Sequence, residues 1–142
     1  MNKWETLNEF CLDTKSVAYN EELKAQFQRV GKAGLKEFAI ALEATGRVKN
    51  CKLDYNKAGI ACSGDFHVRG DFSEGGSFDF FFNLDGFNRF FTYRKTTNQR
   101  DYTGGRNIYM PFGTSLEDAV EDICLLNKKQ NTDRGIGVYP ML

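Results

Sequence analysis

The only histidine of the chain, His67, lies in a run that also contains the other residue types of a hydrolase triad. Ser63, Asp65 and His67 alternate along one predicted strand, and they would supply a hydroxyl, a carboxylate and an imidazole. At about 3.3 Å per residue, Ser63 and His67 lie roughly 13 Å apart, whereas a nucleophile and its base must be within hydrogen-bonding distance. We therefore expect His67 to be a solvated strand residue. A hydrolase-type enzyme that combines His67 with acids from neighbouring strands is kept as a third hypothesis.

Two aspartates, Asp71 and Asp79, are predicted to lie opposite each other on neighbouring strands. Like charges in that position are unfavourable. A divalent cation would relieve the repulsion, but Asp65 lies too far along the same strand to be counted on as a third ligand. A guanidinium from Arg69 or Arg94, lying diagonally between the two carboxylates, would do the same without a metal. We favour the arginines and predict no metal site here.

Neither the cysteines nor the glycines follow a familiar cofactor-binding pattern. The four cysteines, Cys11, Cys51, Cys62 and Cys124, lack metal-type CxxC spacing. Each falls on a predicted apolar face, so we predict reduced core thiols rather than disulfides or metal ligands. The stretch from Tyr102 to Arg106 has neither the P-loop lysine nor the dinucleotide-binding spacing and is predicted to be an ordinary loop. The sequence therefore predicts no enzyme and no cofactor.

A segment rich in basic and aromatic residues extends from Phe87 to Arg106. It contains five basic residues and one acid, for a local balance of +4, with Phe90, Tyr93 and Tyr102 between them. Basic groups that follow a backbone, together with rings that stack on bases, are how proteins hold single-stranded nucleic acid. A nucleic-acid-binding module is therefore the second hypothesis, and its candidate contacts are Arg94, Lys95, Arg100, Tyr102 and Arg106.

Another surface feature is an aromatic pair on the face predicted to be exposed. Phe81 is placed opposite Phe90, with Arg69 beside Phe81. Exposed rings next to an arginine have the composition of a hot spot in a protein interface. The alternative is that a helix or the C-terminal segment covers the rings and makes a second small core.

A row of acids marks the outer side of the last predicted helix. Such a row can offer phosphate-like charge to a basic groove of a partner, although it is most often a solubilising face. Its members are Glu117, Asp118, Glu121 and Asp122.

Strict alternation from Ile60 to Phe72 predicts a long strand that carries several of these candidate residues. Apolar residues and glycines occupy one set of alternate positions and polar residues the other, as expected for a strand with one buried face. The sheet is predicted to extend over about 48–95 in four strands. A short segment at about 106–112 would add a fifth.

The connections predict which residues face each other. Asp85-Gly86 is typical of a two-residue hairpin turn, because both positions need positive φ, and it sets Phe80 opposite Phe91. The five residues after Phe72 set Phe80 opposite Gly70, where the ring fills the space above bare backbone. Both registers place the same residues on one buried face, namely Phe66, Val68, Phe72, Phe78, Phe80, Phe82 and Phe91.

Helices are predicted over about 3–12, 21–45 and 115–127, with a tail over 128–142. Asn20 is placed to cap the second helix, and two glycines in its middle leave open whether it is one helix or two. Thr114 and Glu117 are placed for a capping box at the start of the last helix. The sequence thus predicts an α+β fold, in which a four- to five-stranded antiparallel meander sheet has N-terminal and C-terminal helices packed on one face.

Length and charge narrow the class of protein. At 142 residues, the chain 1–142 is predicted to be a single domain with its own core. Basic and acidic residues number 19 each, so net charge does not direct the chain to nucleic acid or to a membrane. The first residues lack the apolar segment of a secretion signal, and no apolar run approaches the roughly 18 residues of a membrane span. We therefore expect a cytoplasmic protein without a membrane partner.

These observations favour a small non-enzymatic binding protein that acts through a protein–protein interface. Its expected contacts are Phe81, Phe90, Arg69 and the acidic row of the last helix. Small single-domain proteins without a catalytic motif are common among phage- and plasmid-type inhibitors of host defence systems, including anti-CRISPR proteins. A nucleic-acid-handling complex is therefore one expected partner. This last step rests on the frequency of that class and not on a residue of the chain.

Overall fold

A five-stranded antiparallel sheet in the order β1-β2-β3-β4-β5 is the framework of the computed structural model. The structure describes residues 2–14, 20–56, 64–83, 90–102 and 104–127. The strands are β1 (Val48–Asn56), β2 (Asp65–Phe72), β3 (Ser77–Asn83), β4 (Phe90–Thr96) and β5 (Ile108–Pro111). The helices are α1 (Lys3–Thr14), α2 (Glu21–Ala44) and α3 (Leu116–Leu126). The helices pack on one face of the sheet, which confirms the predicted α+β meander.

Three predicted features lie outside the described residues. They are the first part of the long strand at 60–63, the Asp85-Gly86 turn and the tail at 128–142. Within the described chain, the predicted edge strand is present as β5, and Pro111 ends it.

Helix α2 continues without a break along its length. Oδ1 of Asn20 accepts a hydrogen bond from the backbone N–H of Leu23 at 2.9 Å, as predicted for its cap. Gly31 lies within the helix because β2 approaches it closely: a Cβ there would lie 2.6 Å from the ring of Phe66. The glycine therefore serves helix–sheet packing and does not divide the helix.

Helix α3 begins with a different cap from the one predicted. Oγ of Ser115 accepts a hydrogen bond from the backbone N–H of Asp118 at 3.1 Å. The hydroxyl of Thr114 instead donates to the carbonyl of Pro111 at 2.7 Å. The predicted capping box of Thr114 and Glu117 is therefore wrong, because Thr114 belongs to the turn that follows β5.

The buried face of the sheet consists mainly of aromatic rings that meet the helices. Trp4 of α1 stacks on Phe38 of α2 and on Phe91 of β4, with ring centroids 4.7 and 5.1 Å apart. Phe27 of α2 packs edge-on against Phe82 of β3 at 5.4 Å. The predicted buried set is confirmed, since each member is 2% exposed or less: Phe66, Val68, Phe72, Phe78, Phe80, Phe82 and Phe91.

Both predicted registers are wrong by two residues. Phe80 pairs with Val68 on one side and with Tyr93 on the other, instead of with Gly70 and Phe91. Side chains alternate along a strand with a period of two, so a shift of two leaves every residue on its predicted face. The buried set was therefore correct although the pairs were not.

The turn between β2 and β3 explains one of these shifts. The N–H of Phe72 donates to the carbonyl of Gly76 at 2.9 Å, and the N–H of Gly75 donates to the carbonyl of Phe72 at 3.0 Å. Gly75 and Gly76 have φ values of 109° and 83°, which residues with a side chain rarely adopt. Two consecutive glycines thus allow a tighter turn than the five-residue connection that was predicted.

Candidate functional site

The face of the sheet that points away from the helices, here called the outer face, carries a group of charged residues. Asp79 of β3 faces Arg69 of β2 and Arg94 of β4, while Asp71 faces Ser77. The predicted opposition of Asp71 and Asp79 is therefore wrong, because the register is shifted by two residues. We call the resulting group the His67 cluster, which comprises Asp65, His67, Arg69, Asp79 and Arg94.

His67 lies at the centre of this cluster and is only 8% exposed. Its Nδ1 is 2.8 Å from Oδ1 of Asp79, and its Nε2 is 3.0 Å from Oδ2 of Asp65. Nη2 of Arg69 is 3.1 Å from the same Nδ1. The expectation of a solvated histidine is wrong, because charged neighbours pack around the ring. Both ring nitrogens are therefore within hydrogen-bonding distance of carboxylates. Ser63 lies outside the described residues.

Asp79 is 3% exposed and is compensated by both arginines. Nη2 of Arg94 lies 3.4 Å from Oδ2 of Asp79, and Nε of Arg69 lies 3.7 Å from Oδ1. A buried carboxylate is costly unless it is paired and hydrogen-bonded. These contacts therefore connect the three central strands β2, β3 and β4 across the outer face.

Residues 97–102 and 104–107, here called the covering loop, cross the outer face between β4 and β5. Arg94 lies on β4 between the sheet and the loop, and it donates hydrogen bonds to the carbonyl of Asp101 at 3.1 Å and to the carbonyl of Gly104. Arg94 is itself only 6% exposed. It therefore fixes the covering loop to the sheet, through the same guanidinium that compensates Asp79.

A second group of contacts attaches the covering loop near the start of β1. Asp71 accepts hydrogen bonds from Asn50, Gln99 and Ser77 at 3.1, 3.0 and 2.8 Å. Gln99 also donates to the backbone carbonyl of Asn50 at 2.9 Å. Partial burial acts to raise the pKa of Asp71, but the three hydrogen bonds outweigh it and leave the pKa below its usual value.

The two glycines of the covering loop occupy positions where a Cβ would not fit. Gly105 has a φ of 77°, and a Cβ there would overlap the carbonyl oxygen of Lys95. A Cβ on Gly104 would overlap the carboxylate of Asp101, which accepts a hydrogen bond from the N–H of Gly104 at 2.7 Å. Gly105 is thus explained by packing of the loop on β4, and Gly104 by its contact with Asp101 within the loop.

The basic residues predicted to bind nucleic acid do not share one surface. Arg94 is buried beneath the covering loop. Lys95 points to the opposite face of the sheet, where its Nζ donates to the carbonyl of Asn127 at 3.4 Å. Arg100 and Arg106, both in the covering loop, are exposed. Neighbouring residues of a strand point to opposite faces, so a count of charge along the sequence overstates the charge of either face.

A row of partly buried side chains runs across β3, β4 and β5 on the outer face. We call it the aromatic strip after its three rings, and its members are Phe81, Phe90, Thr92 and Tyr109. The ring of Phe81 stacks on His67, with centroids 5.1 Å apart and planes at 22°. Phe81 pairs with Thr92 and not with Phe90, so the predicted pair is wrong for the same reason of register. Phe90 packs instead against Tyr109 at 5.6 Å.

A depression of about 400 Å³ lies between the aromatic strip and the covering loop. Its lining includes His67, Arg69, Phe81, Tyr102, Gly105 and Asn107. The ring of Tyr102 lies over the guanidinium of Arg69, with 5.3 Å from Cζ to the ring centroid, in a cation–π contact. Tyr102 is 65% exposed, so its ring is also open to a ligand.

Sequence reasoning missed one residue of this site and misplaced the partners of another. The missed residue is Tyr109, whose signal was present: Ile108 and Met110 alternate with it and point toward the core, which leaves Tyr109 on the outer face. The compensation of Asp79 by arginines was predicted and is confirmed. The predicted position was wrong, because Arg69 and Arg94 lie directly opposite Asp79 and not diagonally, and the position of Arg94 depends on the register between β3 and β4. No feature of the sequence alone distinguishes that register from one shifted by two residues.

The acidic row of α3 lies on the helix side of the molecule. Glu117, Asp118 and Glu121 are exposed, and Asp122 is half-buried. Oε2 of Glu121 is 2.8 Å from Nη2 of Arg47. Because α3 packs on the face opposite to the outer face, the acidic row and the aromatic strip do not belong to one flat surface.

The thiols lie apart from this site. Cys11, Cys51 and Cys124 are unpaired, as predicted, and Cys62 lies outside the described residues. Burial raises the pKa of Cys51 to about 12 and raises that of Cys11 further. Within the described ranges, no group of three or more His, Cys, Asp or Glu side chains is placed to hold a metal ion. Nor is any helix of those ranges both long and apolar enough to cross a membrane.

No protein family, curated protein or solved structure is found to match this chain. The geometry of the outer face is therefore the basis on which a function is assigned.

Proposed function

We propose that the protein is a non-enzymatic binding protein and that the outer face of its sheet recognises a protein partner. The observation that carries this proposal is the aromatic strip, in which Phe81, Phe90 and Tyr109 are only partly buried on hydrogen-bonded strands near the exposed ring of Tyr102. Aromatic side chains combine a large contact area with a small loss of conformational entropy on binding, and they are enriched among interface hot spots.

The charges beside the strip support the same proposal. Nη1 of Arg69 donates to Asp54 at 2.8 Å, and Asp79 lies between Arg69 and Arg94. Burying an unpaired charge is costly. Because these groups are already paired within the chain, a partner that covers them does not incur that cost. The centre of a protein interface is commonly depleted of free charge and rich in aromatic residues, as this surface is.

The class of inhibitor and the identity of its partner are proposed from class frequency. On that basis we propose that the protein is a phage- or plasmid-type inhibitor of a host defence system, such as an anti-CRISPR protein. Its target would then be a nucleic-acid-handling complex. Direct binding of nucleic acid has less support, because Arg94 is buried and Lys95 points to the other face. The acidic row on α3 is a separate candidate surface.

A hydrolase that uses His67 has one supporting contact. Asp79 approaches Nδ1 at 2.8 Å, in the way an orienting acid holds a catalytic base. Nε2 would have to act on the substrate, but it faces Asp65 at 3.0 Å. This arrangement favours a structural role for His67, whose ring stacks on Phe81 and holds it in place.

Affinity capture with the full chain as bait tests the proposal, with and without nuclease, in an extract of the organism that carries the gene. Two variants remove rings of the outer face, Phe81→Ala and Tyr102→Ala. The control is Ile40→Ala, because Ile40 is 60% exposed but lies on α2, on the helix side. Thermal unfolding of each variant verifies that it is folded.

We expect a protein partner that survives nuclease treatment. A hot-spot ring contributes about 2 kcal/mol or more, so either ring variant should weaken binding by roughly 30-fold, whereas Ile40→Ala should leave it unchanged. Equal binding by all variants would contradict recognition through the outer face. Loss of binding only in the double variant Arg100→Glu with Arg106→Glu, together with a steep salt dependence, would favour nucleic acid.

A further inference from the structure

The depression beside Phe81 and Tyr102 has the dimensions of a pocket for one large side chain. Its volume of about 400 Å³ is near the lower end of the roughly 300–1,000 Å³ typical of small-ligand pockets. The ring of Phe81 is held in place by its stack on His67 at 5.1 Å. The ring of Tyr102 is held over Arg69. Two aromatic walls are thus positioned before any ligand arrives.

The charged groups around the depression already have partners within the chain. Arg69 donates to Asp54, Arg94 contacts Asp79 and the covering loop, and both nitrogens of His67 contact carboxylates. Nε of Arg69 makes no hydrogen bond, but it is buried 3.7 Å from Asp79 and is not open to solvent. Among the described residues of the lining, no charge is left over to neutralise that of a ligand.

The accessible part of the lining is aromatic and neutral. Tyr102 is 65% exposed and Phe81 is half-buried. Gly105 and Asn107 are exposed and add a peptide group and a carboxamide. A charged ligand would lose hydration without gaining a counter-charge. An uncharged ring would instead gain contacts with two aromatic side chains.

We propose that this depression binds one uncharged aromatic side chain, a tyrosine or a tryptophan, of the protein partner. The inference rests on the proposed function, since it names the group by which the partner anchors on the outer face. The ring packs on Phe81 and Tyr102, and its hydroxyl or indole N–H bonds to the carboxamide of Asn107, which can both donate and accept. Hot spots on one protein tend to pair with hot spots on the other.

The test is an NMR titration of the isotopically labelled full chain with N-acetyl-tyrosinamide as the neutral probe. N-acetyl-phosphotyrosinamide and N-acetyl-argininamide are the anionic and cationic counterparts. Phe81→Ala removes one wall, and Asn107→Ala gives a second variant at an exposed loop position in case Phe81→Ala does not fold. Ile40→Ala is the control on the helix side.

We expect saturable shifts for the neutral probe at Phe81, Tyr102, Gly105 and Asn107. Phe81→Ala, which removes an apolar contact, should weaken binding of the neutral probe by roughly tenfold or more. Each charged probe should bind the unaltered chain more weakly than the neutral probe by the same factor, whereas Ile40→Ala should have no effect. Asn107→Ala should weaken the neutral probe by less than Phe81→Ala, since it removes one hydrogen bond.

Three results would overturn the inference: no saturable shift up to the solubility limit of the probe, shifts at other residues, or equal or tighter binding of a charged probe. The titration needs no partner, so its failure is distinct from failure of the proposed function. Capture of a partner that depends on Tyr102, without binding of the neutral probe, overturns the pocket alone. Probe binding without any captured partner overturns the protein-partner proposal, and with it the identity of the bound ring as a partner side chain, while the affinity of the depression for a neutral ring stands.

Discussion

Asp79 of β3 and Arg94 of β4 face each other on the outer face of the sheet, with Nη2 of Arg94 3.4 Å from Oδ2 of Asp79. The two residues are 3% and 6% exposed. Arg94 also donates to the backbone carbonyls of Asp101 and Gly104 in the covering loop. One ion pair therefore links the packing of the sheet to the position of the loop that borders the candidate pocket.

Removing one member of this pair should destabilise the fold strongly. Arg94→Met leaves the buried carboxylate of Asp79 partly uncompensated, and we expect a loss of about 3 kcal/mol in the free energy of unfolding, the lower end for a broken buried pair, because Arg69 and His67 remain beside it. Urea unfolding measures the loss. The double variant Asp79→Asn with Arg94→Met should recover part of it, whereas strictly additive effects would show that the two residues are not coupled.

The covering loop should depend on the absence of a side chain at Gly105. Gly105→Ala introduces a Cβ that overlaps the carbonyl of Lys95, at a φ of 77°. Gly46→Ala is a matched control, because Gly46 has a φ of 75° with no atom within 4 Å of its Cβ position. Both variants lose about 1–2 kcal/mol for the left-handed conformation, and the clash should cost Gly105→Ala about 1 kcal/mol more.

Denaturant midpoints and the NMR signals of Tyr102 check this prediction. We expect the signals of Tyr102 to move in Gly105→Ala and to stay in Gly46→Ala. Equal losses of stability in the two variants would mean that the loop does not lie against β4 at this point.

Phe80 should be among the most sensitive positions of the core. It is fully buried and packs against Trp4, Phe38 and Phe91, with ring centroids 6.2, 4.8 and 5.1 Å away. Phe80→Ala should lower the free energy of unfolding by about 3–5 kcal/mol, because the emptied space is lined by rigid rings. Ile40→Ala, at an exposed position, should change it by less than about 0.5 kcal/mol. An unchanged denaturant midpoint for Phe80→Ala would refute the core described here.

Cys11 and Cys51 should react slowly in the folded protein, and all four cysteines should react completely after unfolding. Burial raises the pKa of Cys51 to about 12, so at neutral pH almost none of it is the reactive thiolate. Cys11 is more deeply buried and its pKa is raised further. Mass spectrometry after alkylation in denaturant without reductant should show four modifications, one for each cysteine of the chain. Two modifications would reveal a disulfide and would contradict the prediction that all four thiols are reduced.

The success of the core prediction and the failure of the pairing have one cause. Alternation along β2 and β3 assigns Phe66, Val68 and Phe80 to the buried face whatever their cross-strand neighbours are. Register depends instead on the turn, and Gly75-Gly76 allow a tighter one than was expected. A shift of two residues keeps each face and changes each pair. The core and the arginine compensation of Asp79 could therefore be predicted, while the residues that lie directly opposite Asp79 could not.

The sequence by itself determined the order of helices and strands, the buried face of the sheet and the cap at Asn20, since these depend on side chains close together along the chain. Only the tertiary structure decided what the outer face presents. It placed Asp79 between two arginines, buried His67 and laid Tyr102 over Arg69. These contacts join three strands and a loop. Whether a charge is solvated or paired depends on groups within a few ångströms in space, whatever their distance along the chain.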